Sequence, residues 1–558
     1  MRRSIPLVVA ATSVALLSAS GAMAADIQAG PDDYKTAVAA LQPGDTLHLA
    51  AGTYPKLLVV NNLKGTEAQP IVIEGPSSGE PAVFTADPGP CCNTVEIKNS
   101  EHVVLRHLTI DGKGVAGAFG VSAKDGTGNR VHHITIEDCT FVGHDADQGT
   151  VAISTKTPTW GWVVRRNRIS GAGTGLYLGN SNGDSPFVAG VIENNLVEDT
   201  VGYNVQIKYQ KPRPAVDGMP TGPSSTIIRH NVFLKNDRPS PDGDRPNLLV
   251  GGFPDSGAGS EDLYEIYGNV LHGNHRESLL QASGRVSIHD NVFVDVTNTA
   301  VLLQNHDLPL KLARVYDNTI YSAKRGIHVG SAAAQGSSVF GNLIFAETGV
   351  SGSGTDVRDN LTDTVANAPQ LVSSPSIQLG AMDFYPLAGK CEGAAIDMSV
   401  AAADTDYASD FNGTSKGGFT FRGAYAGAGT NPGWSISATI KDTEGTVPGQ
   451  DAGSAGNAGA AGAAGGPSAD AGKAGSSTGG ASGGSDAGGI AGAGQAGTLD
   501  GGANPAGAAA GDDDGGCSCR TSPGERSGGW LALIALGLAM LAGRRYRSAS
   551  ETKPRDPS

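Results

Sequence analysis

The chain has 558 residues, of which 55 are acidic and 40 basic, giving a net charge of −15. A surface this negative disfavours nucleic acid and offers no bulk attraction to acidic polymers, so an acidic ligand needs a local basic patch. Six cysteines (91, 92, 139, 391, 517 and 519) lack the paired C-x-x-C spacing of a zinc site.

Residues 1–24 open with Met1-Arg2-Arg3, run through apolar Pro6 to Leu17 and close on Ala22-Met23-Ala24. That basic, apolar, small-residue order predicts a secretory signal peptide and a mature chain from Ala25. Asp32 to Leu41 has helix composition with an acidic start, which predicts an N-terminal cap helix.

A short strand then recurs, ending in Asn, one further residue and an apolar one, as in Ile-Ile-Arg-His-Asn231-Val-Phe. The Asn positions are 167, 195, 231, 269, 291, 318, 342 and 360, and two earlier copies carry Leu108 and Cys139 there. Each copy is accompanied by a second short strand, such as Gly175-Leu-Tyr-Leu or Thr299-Ala-Val-Leu-Leu. The pattern predicts ten coils of an all-β solenoid, a right-handed parallel β-helix whose Asn side chains bond coil to coil inside a turn. A meander or propeller would need tight two-residue hairpins, which the sequence lacks.

A minimal coil is all scaffold, so extra length must loop out. The Asn-to-Asn interval is 36 residues from Asn195 to Asn231 and 38 from Asn231 to Asn269, against 18 to 31 elsewhere. Gln210 to Ser224, Lys235 to Pro246 and Gly252 to Glu261 are therefore predicted to wall one face.

Beside them lies Tyr203-Asn204-Val205-Gln206-Ile207-Lys208, whose alternation points Val205 and Ile207 inward and Asn204, Gln206 and Lys208 outward. Gly179 and Gly251 align with Lys208 on the flanking coils, leaving room for a flat ligand. A uronate lyase must offset a carboxylate, remove the C5 proton and assist the departing 4-linked oxygen. A lysine serves as base only if burial or nearby cations lower its pKa. The candidate catalytic residues are Lys208, Arg245, Arg276 and His306, with His275 nearby. The candidate substrate-binding residues are Tyr177, Tyr203, Gln206, Tyr209 and Glu277, the tyrosines by stacking on sugar rings. Lys208 also reads as an ordinary solvated strand-end lysine. Asp237, Asp242, Asp244, Asp255 and Glu261 make the loops acidic, and Ca²⁺ is the cofactor such oxygens could bind. No metal-ligand set is assigned.

Gln42-Pro-Gly-Asp-Thr-Leu-His-Leu-Ala-Ala-Gly-Thr-Tyr54 and Gly65-Thr-Glu-Ala-Gln-Pro-Ile-Val-Ile-Glu-Gly75 resemble the first turns of pectin-lyase-like β-helix proteins, including the alginate lyase and chondroitinase B group. Asp404 to Asp410 and Phe421-Arg-Gly-Ala-Tyr425 are similar to the terminal segment of such proteins. The resemblance covers roughly residues 25 to 428 and implies a polysaccharide partner. It leaves two functions open, a polysaccharide lyase acting on an acidic glycan and a non-catalytic glycan-binding or adhesion protein, because fold alone does not fix function. The basic motifs and calcium ligands of that group are not recognisable at matching positions, and neither are the aspartate sets of polygalacturonases.

Residues 429–448 read as a short irregular extension. From 449 to 516 the chain is Gly, Ala, Ser and Asp, too poor in apolar residues to offset ordering entropy, which predicts a disordered stalk. Cys517-Ser518-Cys519, an apolar run over 528–543 and Arg544, Arg545 and Arg547 follow. As a helix that run rises about 24 Å, a marginal membrane span, and the arginines would keep 548–558 in the cytoplasm. The arrangement over 517–547 resembles the MYXO-CTERM sorting signal of myxobacterial surface proteins. It implies a transmembrane helix, a sorting protease as partner, and Cys517 or Cys519 as the point of cleavage or attachment; a plain membrane anchor is the alternative. The expected location is the cell envelope or surface.

Overall fold

The computed structural model describes residues 24–86, 93–123 and 130–441. The stalk, Cys517, Cys519 and the apolar run 528–543 lie outside them. Among the described residues no helix is long and apolar enough to cross a membrane.

Each coil carries up to three short strands, and coils stack strand on parallel strand. Thirteen strands, from Asp26–Ala29 to Thr355–Arg358, form the first face. A second face runs from Gly52–Tyr54 to Leu361–Asp363, and a third starts at Leu58–Asn61. In the last coils the second and third faces are single strands bent at the corner: Val292–Leu303, Thr319–Val329 and Leu343–Gly352. The chain is a right-handed parallel β-helix, the hand that parallel crossovers impose. Among the described residues the first face has thirteen rungs where the Asn motif predicts ten. Its first three, Asp26–Ala29, Thr46–Leu49 and Ile71–Glu74, turn without that motif.

Inward residues stack in columns. On the third face Val95, Val121, Ile153, Leu176, Val205, Leu248, Leu280, Val301 and Ile327 lie in register, all fully buried. The Asn ladder holds the corner between first and second faces. Asn231 Nδ2 donates to Asn269 Oδ1 at 3.0 Å and to the Ile192 carbonyl at 2.8 Å, and its backbone N–H also reaches Asn269. The pattern repeats from Asn167 to Asn342, with Asn360 as the final acceptor. The residue before each rung is left-handed, as at Arg166, Asn194, His230, Gly268, Asp290 and Asp317. Asn, Asp, His and Gly tolerate that region best, which is why they recur there.

The outer side of the first face carries its own register. Glu74, Arg106, Glu137, Arg165, Glu193 and Arg229 alternate in charge from coil to coil. Arg165 lies 2.6 Å from Glu137 and Arg229 lies 2.7 Å from Glu193. Rings then replace the ions: Tyr267, His289, Tyr316 and Phe340 stack at 4.8, 4.8 and 5.0 Å, and Arg358 closes the column over Phe340. Opposite charges and stacked rings are the cross-strand pairs that reward this alignment.

The N-terminal end of the solenoid is capped, and one of its sides is covered by the C-terminal segment. The helix Tyr34–Ala40 packs Tyr34 against Tyr54 and Phe84 at 5.2 and 5.6 Å. After Asp363 the chain folds back along the outside of the second face, where Phe411, Tyr425 and Ile436 bury Leu196, Val232, Val270 and Val292. Residues 429–441 contain no helix or strand, yet Ile436 is buried and Lys441 Nζ donates to the carbonyls of Gly268 and Phe411. Cys139 and Cys391 are buried free thiols, and burial pushes the Cys139 thiol up to about 12. Cys91 and Cys92 lie outside the described residues.

Candidate functional site

The outward side of the third face is a trough. Along its floor Ser154, Tyr177, Gln206, Leu249 and Gln281 follow one another in register. Although they point away from the core, Ser154, Gln206 and Leu249 are 0, 5 and 2% exposed. The long loops are the walls, one on each side. Loops 210–224 and 252–261 leave the third-face strands toward the first face, while loop 235–246 enters them from the second. The first wall is held by the buried Arg213–Asp262 pair. The second is clamped to an earlier coil: Gln148 donates to the Gly243 carbonyl at 2.8 Å and accepts from Asp242 N–H at 3.0 Å, and Arg238 pairs with Asp145 at 2.6 Å.

Two strand positions beyond Gln206 the face turns basic. Lys98, Lys156, Gly179, Lys208 and Gly251 each follow a residue of one inward column, Ile97, Thr155, Leu178, Ile207 and Val250, in which Ala123 separates the first two. Tyr177 lies between two of these lysines: Lys156 Nζ is 5.7 Å and Lys208 Nζ 5.8 Å from its ring centroid. Lys208 is 9% exposed, and among the described residues its ammonium has no hydrogen-bond or ion-pair partner. Its side chain is largely covered, and its ammonium lies beside the Tyr177 ring.

The glycines flanking Lys208 answer to the chain path rather than to a ligand. A Cβ on Gly251 would stand 2.2 Å from the Tyr209 nitrogen, and Gly179 is left-handed at φ 88°. Asn204 does not point outward. It is fully buried, with Nδ2 bonded to the carbonyls of Val197 and Leu234, because it sits at the corner ahead of the strand and not in its alternation.

The structure divides the expected catalytic set between the two edges of the strand. Lys208, Tyr209 and His306 share the edge facing the first wall. There the Tyr209 ring packs on Gly183, and burial together with Asp307 and Asp184 raises its phenol. His306 Nδ1 lies 3.2 Å from Asp307. Arg245 and Arg276 stand at the other edge, up to about 16 Å away along five extended residues. Arg245 covers the Tyr203 ring at 5.8 Å and donates to the carbonyls of Asp242 and Asp244. Arg276 is 3.9 Å from Asp244, and Glu277 accepts from the Ser278 N–H and hydroxyl. His275 bridges Asp237 and Asp295. Burial pulls its pKa down, but hydrogen bonds to Asp295 and Asp237 leave it raised.

Two lysines escape the sequence reading. Lys156 lacks any local motif, and only coil register brings it to Tyr177. Lys235 is half-buried at the base of the second wall, donating to the carbonyls of Gly202 and Arg245 at 2.7 and 3.0 Å. Burial first, and then Arg245, lowers it to about 8, against the pull of Asp244. It meets the electrostatic condition for a base, but its ammonium is spent on backbone carbonyls.

A family model described as a right-handed beta helix region matches residues 151–361. Those residues include the trough and both walls. No curated protein matches the chain. Among solved structures, an alginate lyase from Paenibacillus sp. is 11% identical, covering 61% of this chain and 99% of its own, with a TM-score of 0.34. The pectate lyase Pel9A is 15% identical over 75% of this chain and 96% of its own, with a TM-score of 0.39. A lacto-N-biosidase from Eubacterium ramulus is 14% identical over 61% and 68%, with a TM-score of 0.38.

Proposed function

We propose that the trough binds an acidic polysaccharide and cleaves it by β-elimination at Lys208. The supporting observation is the Lys156–Tyr177–Lys208 array on a floor walled at both sides. Successive coils repeat at about 4.8 Å, so the ring and the two ammoniums line one path along the axis. A tyrosine face can stack on a pyranose ring, and an ammonium offsets a uronate carboxylate and with it the charge that builds when C5 is deprotonated. In this reading Lys156 neutralises the carboxylate and Lys208 takes the C5 proton. The C4–O bond then breaks, a C4=C5 double bond forms, and the departing oxygen takes a proton from water. The array also supplies the basic patch that a chain of net charge −15 needs for an acidic ligand.

Glycan binding without cleavage is the second reading. It is favoured by the position of Arg245 and Arg276, which are engaged at the far edge and leave Lys208 with few partners. Purified protein incubated with a panel of uronate polymers separates the two. Rising absorbance of unsaturated ends, lost in Lys208→Ala, supports elimination. Retention on immobilised polymer without that rise supports binding alone, and neither result removes both. Export and attachment at the cell surface through residues 517–547 belong to the same proposal, and cell fractionation tests them.

A further inference from the structure

On the first face, away from the trough, three imidazoles meet. Glu101 pairs with His132 across adjacent coils, which sets His102 opposite His133. One ligand atom from each of His102, His132 and His133 lies within 4.8 Å of the others. His132 Nδ1 and His133 Nδ1 are 2.7 Å apart, so both cannot carry a proton between them. The rings of His102 and His133 stack at 4.5 Å. The far nitrogen of His132, Nε2, is 2.6 Å from Glu101 Oε2, close enough for an ion pair but not aligned as a hydrogen bond. Its other ring face lies on Trp160 at 4.2 Å, and Trp160 packs with Met219 of the first wall loop.

We infer that His102, His132 and His133 form a binding site for a borderline divalent transition metal such as Zn²⁺, with Glu101 orienting His132 from behind. Three neutral imidazoles suit such a metal, and tetrahedral coordination at about 2.0–2.1 Å would set the nitrogens roughly 3.4 Å apart, with His102 and His133 turning out of their parallel stack so that both ring planes reach the ion. A histidine ligand whose other nitrogen meets a carboxylate is the usual support for such a site. His132 is buried, His102 half-buried and His133 exposed, so a fourth position faces solvent. The nearby cations are already engaged, Arg130 with Asp217 and Lys64 with Asn99 and Glu101. His102 and His133 also hold left-handed backbones at φ 50° and 52°, in a column that continues through Gly161 and Ala189.

The test is metal stoichiometry on the full chain after chelation and dialysis against Zn²⁺, with Co²⁺ as spectroscopic probe. One metal per chain and visible Co²⁺ bands of a low-coordinate nitrogen site are expected. Both should vanish in a His102→Ala, His133→Ala double variant whose circular dichroism is unchanged. His133→Asn, which tolerates the left-handed backbone, serves if the double variant does not fold. Glu101→Gln should weaken binding 10- to 100-fold. No stoichiometric uptake by the folded wild type, or uptake undiminished in the histidine variants, overturns the site and leaves a stacked imidazole cluster.

Discussion

Lys416 and Asp317, 99 residues apart in the chain, meet with the ammonium 2.8 Å from the carboxylate and both side chains buried. The same ammonium lies 2.8 Å from Asp290, one coil earlier. Both aspartates are the left-handed residues that precede the ladder rungs Asn291 and Asn318. The triad therefore ties the returning C-terminal segment to the ladder corner. Replacing Lys416 with Met would leave two carboxyl groups buried without their cation, and a loss of roughly 3–5 kcal/mol is expected in denaturant unfolding.

The triad also predicts a pH dependence. Burial pushes Asp290 up to about 8 and Asp317 to about 6, with Lys416 pulling each the other way. A raised carboxyl keeps a proton that the unfolded chain has released near pH 4. The stability this contributes is complete below that pH and is lost as pH rises toward 8, at up to about 1.4 kcal/mol per pH unit for one proton. Asp290→Asn mimics the protonated form and suits a left-handed backbone. Unfolding free energies measured from pH 5 to 8 should slope less in this variant than in the wild type, and equal slopes would count against a proton held on Asp290.

The ladder should be costly to break in the middle and cheaper at its end. Asn269 donates to the Ile228 carbonyl and to Asn291, and accepts from the side chain and backbone of Asn231, all buried. Asn269→Ala strands several of these groups, for about 2–5 kcal/mol. Asn360, only partly buried, donates to Val339 and has no rung beyond it in the ladder. Thermal unfolding of the two alanine variants should rank them in that order.

In the trough, Lys208→Ala is expected to reduce elimination on a cleaved polymer by 10²- to 10⁴-fold with the fold intact. Arg245→Ala should act mainly through the wall loop, with a smaller change in turnover than in thermal stability. If Arg245→Ala abolished turnover and Lys208→Ala did not, the chemistry would belong at the opposite edge.

Gln148 is the clamp of the second wall. Gln148→Ala removes both of its hydrogen bonds to loop 235–246, for about 1–3 kcal/mol. Limited proteolysis should then cut within that loop sooner than in the wild type, while the coils stay resistant. An unchanged cleavage pattern would mean that Arg238–Asp145 alone holds the wall.

Much of this architecture is local and so was legible in the sequence. An Asn after a left-handed residue, a strand of alternating residues and a long interval between rungs each declare themselves within a few positions. That long loops wall a face followed from interval length, whereas their placement on both sides of the third face did not. The first three rungs were undercounted because they turn without Asn, and Asn204 was misplaced because the corner interrupts the alternation.

What the sequence by itself determined is the coil: its strands, its turn, and the face toward which its apolar residues point. Only the tertiary structure decided which coils' side chains meet, because stacking register depends on every intervening loop length. That register brought Lys156 and Lys208 to Tyr177 and His102 to His133, and it carried Arg245 and Arg276 away from Lys208. The return of the C-terminal segment, which delivers Lys416 to two buried carboxylates, likewise rests on contacts between residues about a hundred positions apart, and no local pattern records it.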